Sequence, residues 1–285
     1  MDGKNGKRNL AIVLSAGRGS RMHTRTAKQY LDLCGRPVIA WSLDAFERFD
    51  GVEDVVLVST PDDIEYCRYE IVERFGFRKV RSIVAGGSER YLSVWEGLKE
   101  AKRILSGGDF TQAVEDAVGA RAGEGCCLFI HDGARPLVDG GILSRTMEDV
   151  RRYGACVAAM PVKDTIKVAD EEGFASGTPD RRYLWQIQTP QVFSFPLVYE
   201  AYRKLIGDGT ADVTDDAMVV ERETDVRVKL TEGSWQNLKI TTPEDLEIAG
   251  LFLRRRRSLQ ARSGVSNGSV PAKENGIIQE TQVYR

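Results

Sequence analysis

The sequence predicts an α/β fold: a mostly parallel sheet flanked by helices, with a β-arm projecting from it. Three observations carry this expectation. Short apolar runs rich in β-branched residues, Leu10–Leu14, Val55–Val58 and Ser82–Ala85, read as buried strands. Each leads through a loop into apolar residues at helical spacing, a rhythm that implies right-handed crossovers and parallel pairing. The polar, glycine-rich stretch 169–180 lies between two extended segments, Thr165–Val168 and Tyr183–Gln188, which is the pattern of a long hairpin.

The chain has 285 residues and is 42% hydrophobic, enough for a sizeable core. Lys+Arg 40 against Asp+Glu 42 leaves a formal charge of −2, so there is no general field for nucleic acid or an anionic membrane. Any phosphate site must therefore be a local cluster. No run is long and apolar enough to span a bilayer, and Met1–Asn9 is polar without the apolar core of a secretory signal. Five cysteines without CxxC spacing read as reduced thiols of a cytoplasmic protein.

The first loop, Ser15-Ala16-Gly17-Arg18-Gly19-Ser20-Arg21-Met22, follows the first strand directly. Its glycines permit close backbone approach to a ligand, and Arg21 and then Lys28 supply charge, as a polyphosphate cradle at a sheet edge requires. Neither of two familiar phosphate loops fits. Met22 stands where a dinucleotide fingerprint needs its third glycine, and no Lys-Ser/Thr pair follows the last glycine.

Further along, Val38–Phe46 reads as a helix, Thr60 as an N-cap before Pro61, and the next helix as ending near Phe75. Tyr91–Leu105 restores helical periodicity, and residues 106–125 break the rhythm as a surface insertion. Cys126–Ile130 and Gly154–Met160 are strands. Thr214 caps a helix to Arg222, Val226–Leu230 is the last strand, and Thr242 caps the closing helix. One domain over 8–253 is expected, with the arm at 163–189. The Ser-, Gly- and Asn-rich tail over 254–285 is expected to be disordered. Its Arg254–Arg257 run suits a solvated helix end, or else contact with RNA.

Four segments carry chemistry, each where a strand should end, the edge at which open parallel sheets bind ligands. Arg21 and Lys28 are the first. Asp132 is the second: a carboxylate after a buried strand needs a partner, and it is a hard ligand suited to Mg²⁺ shared with phosphates. Arg135, three residues on, has a planar fork that fits a phosphate. His131 beside them reads as a packed histidine. The third is Gly86-Gly87-Ser88-Glu89-Arg90 with Ser93, whose amides and hydroxyls could read a pyrimidine edge. Equally, Ser88 could simply cap a helix, leaving Arg90 in solvent. The fourth, Lys239, matters only if the sheet order brings it near Lys28.

In combination, LSAGRGSRM, KQYL, GGSERYLSV, HDGARP, PVKDTIK, QTPQ, TDDA and NLKITTPEDL resemble, in the same order, the motifs of the methylerythritol phosphate cytidylyltransferases. The resemblance covers about residues 9–252. It implies a Rossmann-like sheet, a Mg²⁺ cofactor, CTP and methylerythritol 4-phosphate as substrates, and a homodimer in which the arm completes the partner's site. It assigns Ser15, Ala16, Gly17, Gly19, Arg21 and Lys28 to the CTP phosphates, and Gly87, Ser88 and Ser93 to cytosine and ribose. Asp132 would lie near metal and ribose, with Lys239 beside the reacting phosphate. Ala134, Arg135, Thr165, Arg181, Thr189 and Thr214 would bind the sugar phosphate. Two departures stand out: Ala27 replaces the family's usual proline before KQ, and Gln236 replaces an acid found in some members. Alternatives are a ribitol 5-phosphate cytidylyltransferase and a non-catalytic nucleotide-binding protein on the same fold.

Overall fold

In the first strand, Ala11 and Val13 enter one apolar layer while Leu10 and Ile12 enter the other, so both faces of the sheet must be covered. The computed structural model of the chain describes residues 8–17, 26–106, 125–209 and 212–262. In chain order its strands are β1 (Leu10–Leu14), β2 (Asp32–Leu33), β3 (Arg36–Pro37), β4 (Asp54–Ser59), β5 (Val80–Ala85), β6 (Cys127–Asp132), β7 (Ala155–Pro161), β8 (Val168–Ala169), β9 (Ala175–Gly177), β10 (Trp185–Ser194) and β11 (Lys229–Glu232). The helices are α1 (Val38–Arg48), α2 (Ile64–Tyr66), α3 (Arg90–Ser106), α4 (Gly140–Tyr153), α5 (Phe195–Gly207), α6 (Asp216–Glu223) and α7 (Pro243–Arg262).

Seven strands form the main sheet in the order β11-β7-β10-β6-β1-β4-β5. Pairing is parallel throughout except at β10, which runs antiparallel to both β6 and β7. That exception follows from the connection, because a hairpin rather than a crossover helix joins β7 to β10. One face is covered by α1 and α4, which bury Ile39, Leu43, Phe46, Ile142 and Met147. The other is covered by α3, α5 and α6, with Leu98, Val198, Tyr202 and Val219. A fully buried side chain such as Phe46 or Leu98 contributes about 1.5–3 kcal/mol. Helix α4 has well-formed ends: the Asp139 carboxylate accepts from the Ile142 amide, and Gly154 closes it at φ 81°.

The expected arm is present. Between Pro161 and Trp185 the chain forms the small β8–β9 ladder, with Val168, Phe174 and Tyr183 exposed. Its return is longer than expected, since one strand, β10, carries the segment through Gln188 and on to Ser194.

Several boundaries differ from expectation. The segment after Thr60 is a 3₁₀ turn (Pro61–Asp63), then α2, then a π-helical stretch (Cys67–Glu73), and the Thr60 hydroxyl bonds the Asp63 carboxylate instead of capping an amide. The cap before α6 is Asp215, one residue beyond Thr214, because its carboxylate accepts from the Met218 amide. At α7 the Asp245 side chain receives the Thr241 and Thr242 amides. The last strand begins at Lys229, with Val226 and Val228 packed as its extended lead-in.

Nor does order end at Leu253. Helix α7 continues to Arg262, and within the arginine run Arg256 donates to the Leu137 carbonyl while Arg257 lies 4.9 Å over Trp41. Two of these cations therefore dock the helix onto the body, so the run is not the solvated helix end that its composition suits. Of the expected insertion, Ser106 ends α3 and Gly125 precedes β6; residues 107–124, like 263–285, lie outside the described residues.

Candidate functional site

The carboxyl ends of β1, β4, β5 and β6 open into one cleft of about 1130 Å³. Ser15, Ala16 and Gly17 leave β1 and form one wall. The Ser15 amide donates to the Val58 carbonyl at 2.7 Å, and its own carbonyl receives Gln29 Nε2 at 2.6 Å. Beneath it the Tyr30 hydroxyl accepts from Ser15 Oγ at 3.3 Å and lies 3.0 Å from Ser59 Oγ and 3.2 Å from Cys67 Sγ. Burial pushes the Tyr30 phenol pKa above the ordinary tyrosine range, so the group stays neutral there. Gln29 and Tyr30 thus tie the first loop to the 3₁₀ turn Lys28–Tyr30, whose first residue, Lys28, lines the cleft. Gly19 and Arg21 lie outside the described residues.

Ala27, where the family's usual proline is replaced, has φ −61° and ψ 139°, a conformation proline adopts without strain. Ala27→Pro is therefore expected to stabilise the protein by about 0.4–1 kcal/mol through the unfolded chain. Calorimetry should show the melting temperature rising by roughly 1–4 °C, with turnover retained. A lower melting temperature would mean the loop needs more freedom than its backbone angles suggest.

The opposite wall is Gly86–Arg90. A β-carbon on Gly86 would come within 2.7 Å of both Ala16 Cβ and Ser93 Oγ, so only glycine fits between the two loops. Ser88 stands exposed at the rim. Ser93 is buried, and its hydroxyl reaches the Gly87 and Glu89 carbonyls at 3.3 and 3.1 Å.

Asp132 forms the floor. Its Oδ2 meets Lys239 Nζ at 2.8 Å and Arg135 Nε at 3.8 Å, and its Oδ1 meets Arg90 Nε at 3.4 Å. Burial alone would raise the carboxyl pKa, but the charges of Arg90, Lys239 and Arg135 outweigh it and hold the group well below the usual carboxylate range. Lys239 is placed by the chain that follows β11: Asn237 Nδ2 bonds the Thr189 carbonyl at 2.9 Å, and the Ile240 amide bonds the Ala134 carbonyl at 2.8 Å. The sheet order thus brings Lys28, Asp132 and Lys239 to one cleft, a question the sequence left open.

Arg135 sits below this floor, with Nη1 on the Asn237 carbonyl at 2.8 Å and a buried Nε without a hydrogen-bond partner. Thr189 is also buried: its hydroxyl accepts the Asp132 amide at 3.1 Å and bonds His131 Nδ1 at 3.0 Å. His131 is the packed histidine expected. Thr165 and Arg181 lie exposed on the arm, Arg181 donating to the Lys163 carbonyl, and Thr214 is exposed before α6. None of these three lines the cleft. Gln236, at the other departure, accepts from Arg256 at 3.3 Å and so helps seat α7.

Sequence reasoning missed Arg90. It is not a solvent-facing cation: it grips both oxygens of the fully buried Asp216 at 2.9 and 2.8 Å. The usable signal was an aspartate, Asp216, directly before an apolar helical run.

Two glycine-bearing loops face each other across a cleft that holds Lys28, Arg90 and Lys239, at the carboxyl edge of a mostly parallel sheet. This arrangement defines a nucleotide-binding α/β protein of the nucleotidyltransferase class. The family model of 2-C-methyl-D-erythritol 4-phosphate cytidylyltransferase (IspD) matches residues 10–106 and 99–255, and the chain belongs to that family. A relative of that name from Lachnospira eligens is 47% identical over 247 residues, covering 86% of this chain and 99% of its own. Another, from Caldanaerobacter subterraneus, is 41% identical over 86% of this chain and 98% of its own. The crystal structure of 4-diphosphocytidyl-2C-methyl-D-erythritol synthase from Anaerococcus prevotii superposes with TM-score 0.69 at 32% identity. That superposition covers 87% of this chain and 97% of the other.

Proposed function

We propose that the chain transfers the cytidylyl group of CTP to 2-C-methyl-D-erythritol 4-phosphate, forming 4-diphosphocytidyl-2-C-methyl-D-erythritol and pyrophosphate for isoprenoid precursor synthesis. The observation that carries this is the convergence of Lys28, Asp132 and Lys239 between the two glycine-bearing loops. A phosphate oxygen of the acceptor attacks the α-phosphorus in line. The bond to the bridging oxygen breaks, and its electron pair leaves with pyrophosphate. Such a reaction needs positioning and charge neutralisation more than covalent chemistry.

Ser15, Ala16, Gly17 and Lys28, joined by Gly19 and Arg21, hold the triphosphate. Gly87, Ser88 and Ser93 receive the cytidine, and Lys239 neutralises charge at the reacting phosphorus. Ala134, Arg135, Thr189 and Thr214 belong to the acceptor side. Asp132 lines the cleft and is the one carboxylate that would share Mg²⁺ with the substrate phosphates, through Oδ1, whose contact to Arg90 is the longer one at 3.4 Å. Among the described residues no cluster of three or more His, Cys, Asp or Glu side chains could hold the ion without those phosphates. The ion would supply further neutralisation of the phosphate oxygens.

The same proposal takes the chain as a cytoplasmic homodimer of one catalytic domain, whose closing helix runs on to Arg262. Thr165 and Arg181 lie on an exposed arm and do not line this chain's own cleft, which is what arm exchange into a partner's site requires. Free thiols at all five cysteines suit a reducing compartment. Among the described residues no helix is long and apolar enough to cross a membrane.

The deciding experiment is pyrophosphate release with Mg²⁺ and CTP, comparing methylerythritol 4-phosphate, ribitol 5-phosphate and no acceptor. Release only with methylerythritol phosphate is expected. Release only with ribitol phosphate would replace the acceptor, and silence with both despite CTP binding would leave a non-catalytic nucleotide binder.

A further inference from the structure

Arg90 is the first residue of α3, and its guanidinium spans two carboxylates that lie far apart in the chain. Nη1 and Nη2 make short contacts to the two oxygens of Asp216, whereas Nε makes a longer one, 3.4 Å, to Asp132. Asp216 is itself anchored on several sides. It is fully buried, accepts from the Tyr202 hydroxyl, and donates its amide to Gln191 Oε1 at 2.9 Å. Gln191 is in turn held by Asp215 at 3.0 Å. The fork therefore belongs to Asp216, and only its Nε edge is left to touch Asp132.

This division of contacts has a chemical result. Asp216 balances the charge of Arg90, so the guanidinium does not close bidentately over Asp132. Asp132 keeps Oδ1 against Arg90 and turns Oδ2 toward Lys239 at 2.8 Å. A lysine at position 90 could not do both, because an ammonium lacks the planar fork. Without Asp216, both carboxylate oxygens of Asp132 would be open to capture by Arg90.

We propose that Arg90, clamped by Asp216, which Tyr202 in turn holds, is a positioning residue that orients the Asp132 carboxylate toward Lys239 and the cleft. The inference rests on the cytidylyl-transfer reading above. It concerns a residue that touches the floor of the site from the side, acting through Asp132 and not on the substrate.

The test is a double-mutant cycle in the full chain, with Arg90→Lys and Tyr202→Phe each made alone and together with Asp132→Asn. Pyrophosphate release is followed at varied CTP and, for the slow variants, in single turnover with enzyme in excess. Melting temperatures report on folding. Arg90→Lys is expected to lower kcat by about tenfold or more while the KM for CTP stays within about threefold. In the Asp132→Asn background the same change should cost less than about threefold, because the group through which it acts is gone. Tyr202→Phe loosens Asp216 by one donor and should show the same pattern at about two- to fivefold. Equal losses with and without Asp132 would reduce Arg90 to a structural contact and overturn the proposal. Where Arg90→Lys melts below the assay temperature, Tyr202→Phe decides alone, and an unchanged kcat overturns it. A wild-type chain silent with every acceptor would instead remove the transfer reading itself, so the two failures are distinct.

Discussion

Lys28→Ala is expected to reduce kcat by about two to three orders of magnitude, the usual cost of removing one preorganised group from a charge-stabilising site. The change should leave the fold intact. Lys28 opens a 3₁₀ turn whose anchors are its neighbours: Gln29 holds the Ser15 carbonyl, and the Tyr30 hydroxyl bonds Ser15 Oγ and lies beside Ser59 and Cys67. A half-buried cation beside those anchors contributes mainly charge, so the melting temperature should move by no more than about 2 °C. The loss should fall on kcat more than on the KM for CTP, since negative charge on the leaving pyrophosphate grows in the transition state. Lys28→Arg, which keeps charge but not shape, should recover part of the rate. Steady-state pyrophosphate release at saturating CTP measures this directly, and undiminished turnover in Lys28→Ala would remove the residue from the mechanism.

Acid should destabilise the protein through His131. The ring is fully buried and lies 5.5 Å from Phe46, and burial pushes its pKa down to about 4. Its tautomer follows from its partners. The Arg135 carbonyl can only accept, so Nε2 carries the hydrogen and Nδ1 accepts from the Thr189 hydroxyl. A second proton on Nδ1 would face a hydroxyl that already accepts the Asp132 amide. Between the unfolded value near 6.5 and the folded value near 4, the unfolded chain binds a proton that the folded chain does not. Stability then rises with pH and falls on acidification. The loss should reach about 2 kcal/mol by pH 5 and about 3 kcal/mol by pH 4. Asp132, whose folded pKa is depressed, loses its contribution only below about pH 4, so the two windows are separate. Denaturant melts of wild type and His131→Gln from pH 7 to 4 should diverge in this way. Parallel curves would show that the imidazole titrates alike in both states.

The legible parts of the fold were those governed by local periodicity. β1, β4 and β6 are buried on both faces, so each is built on a continuous apolar run, and the glycines after β1 and β5 mark the cleft. Asp132 closes β6 and the 86–88 turn follows β5 directly, so both were legible from their strands, whereas Lys28 was legible from its charge beside the glycine loop. Thr214 and Asp215 are both good caps, and nothing local chooses between neighbours. The docking of Arg256 and Arg257 depends on Leu137 and Trp41, more than a hundred residues away in the chain. Arg90 was illegible because its meaning lies in Asp216, which reaches it only through the packing of α6 against the sheet.

The strand order also governs how the chain must fold. β1 is made first, yet it is an interior strand, with β4 on one side and β6 on the other, Leu10 pairing with Leu128. Until the middle of the chain is available, one edge of β1 remains a row of unpaired amides and carbonyls on a wholly apolar strand. Non-local pairings of this kind close slowly, and open edges recruit other chains meanwhile. Yield on refolding should therefore fall with protein concentration, and fragments ending before Cys127 should aggregate rather than stop at a soluble half-domain.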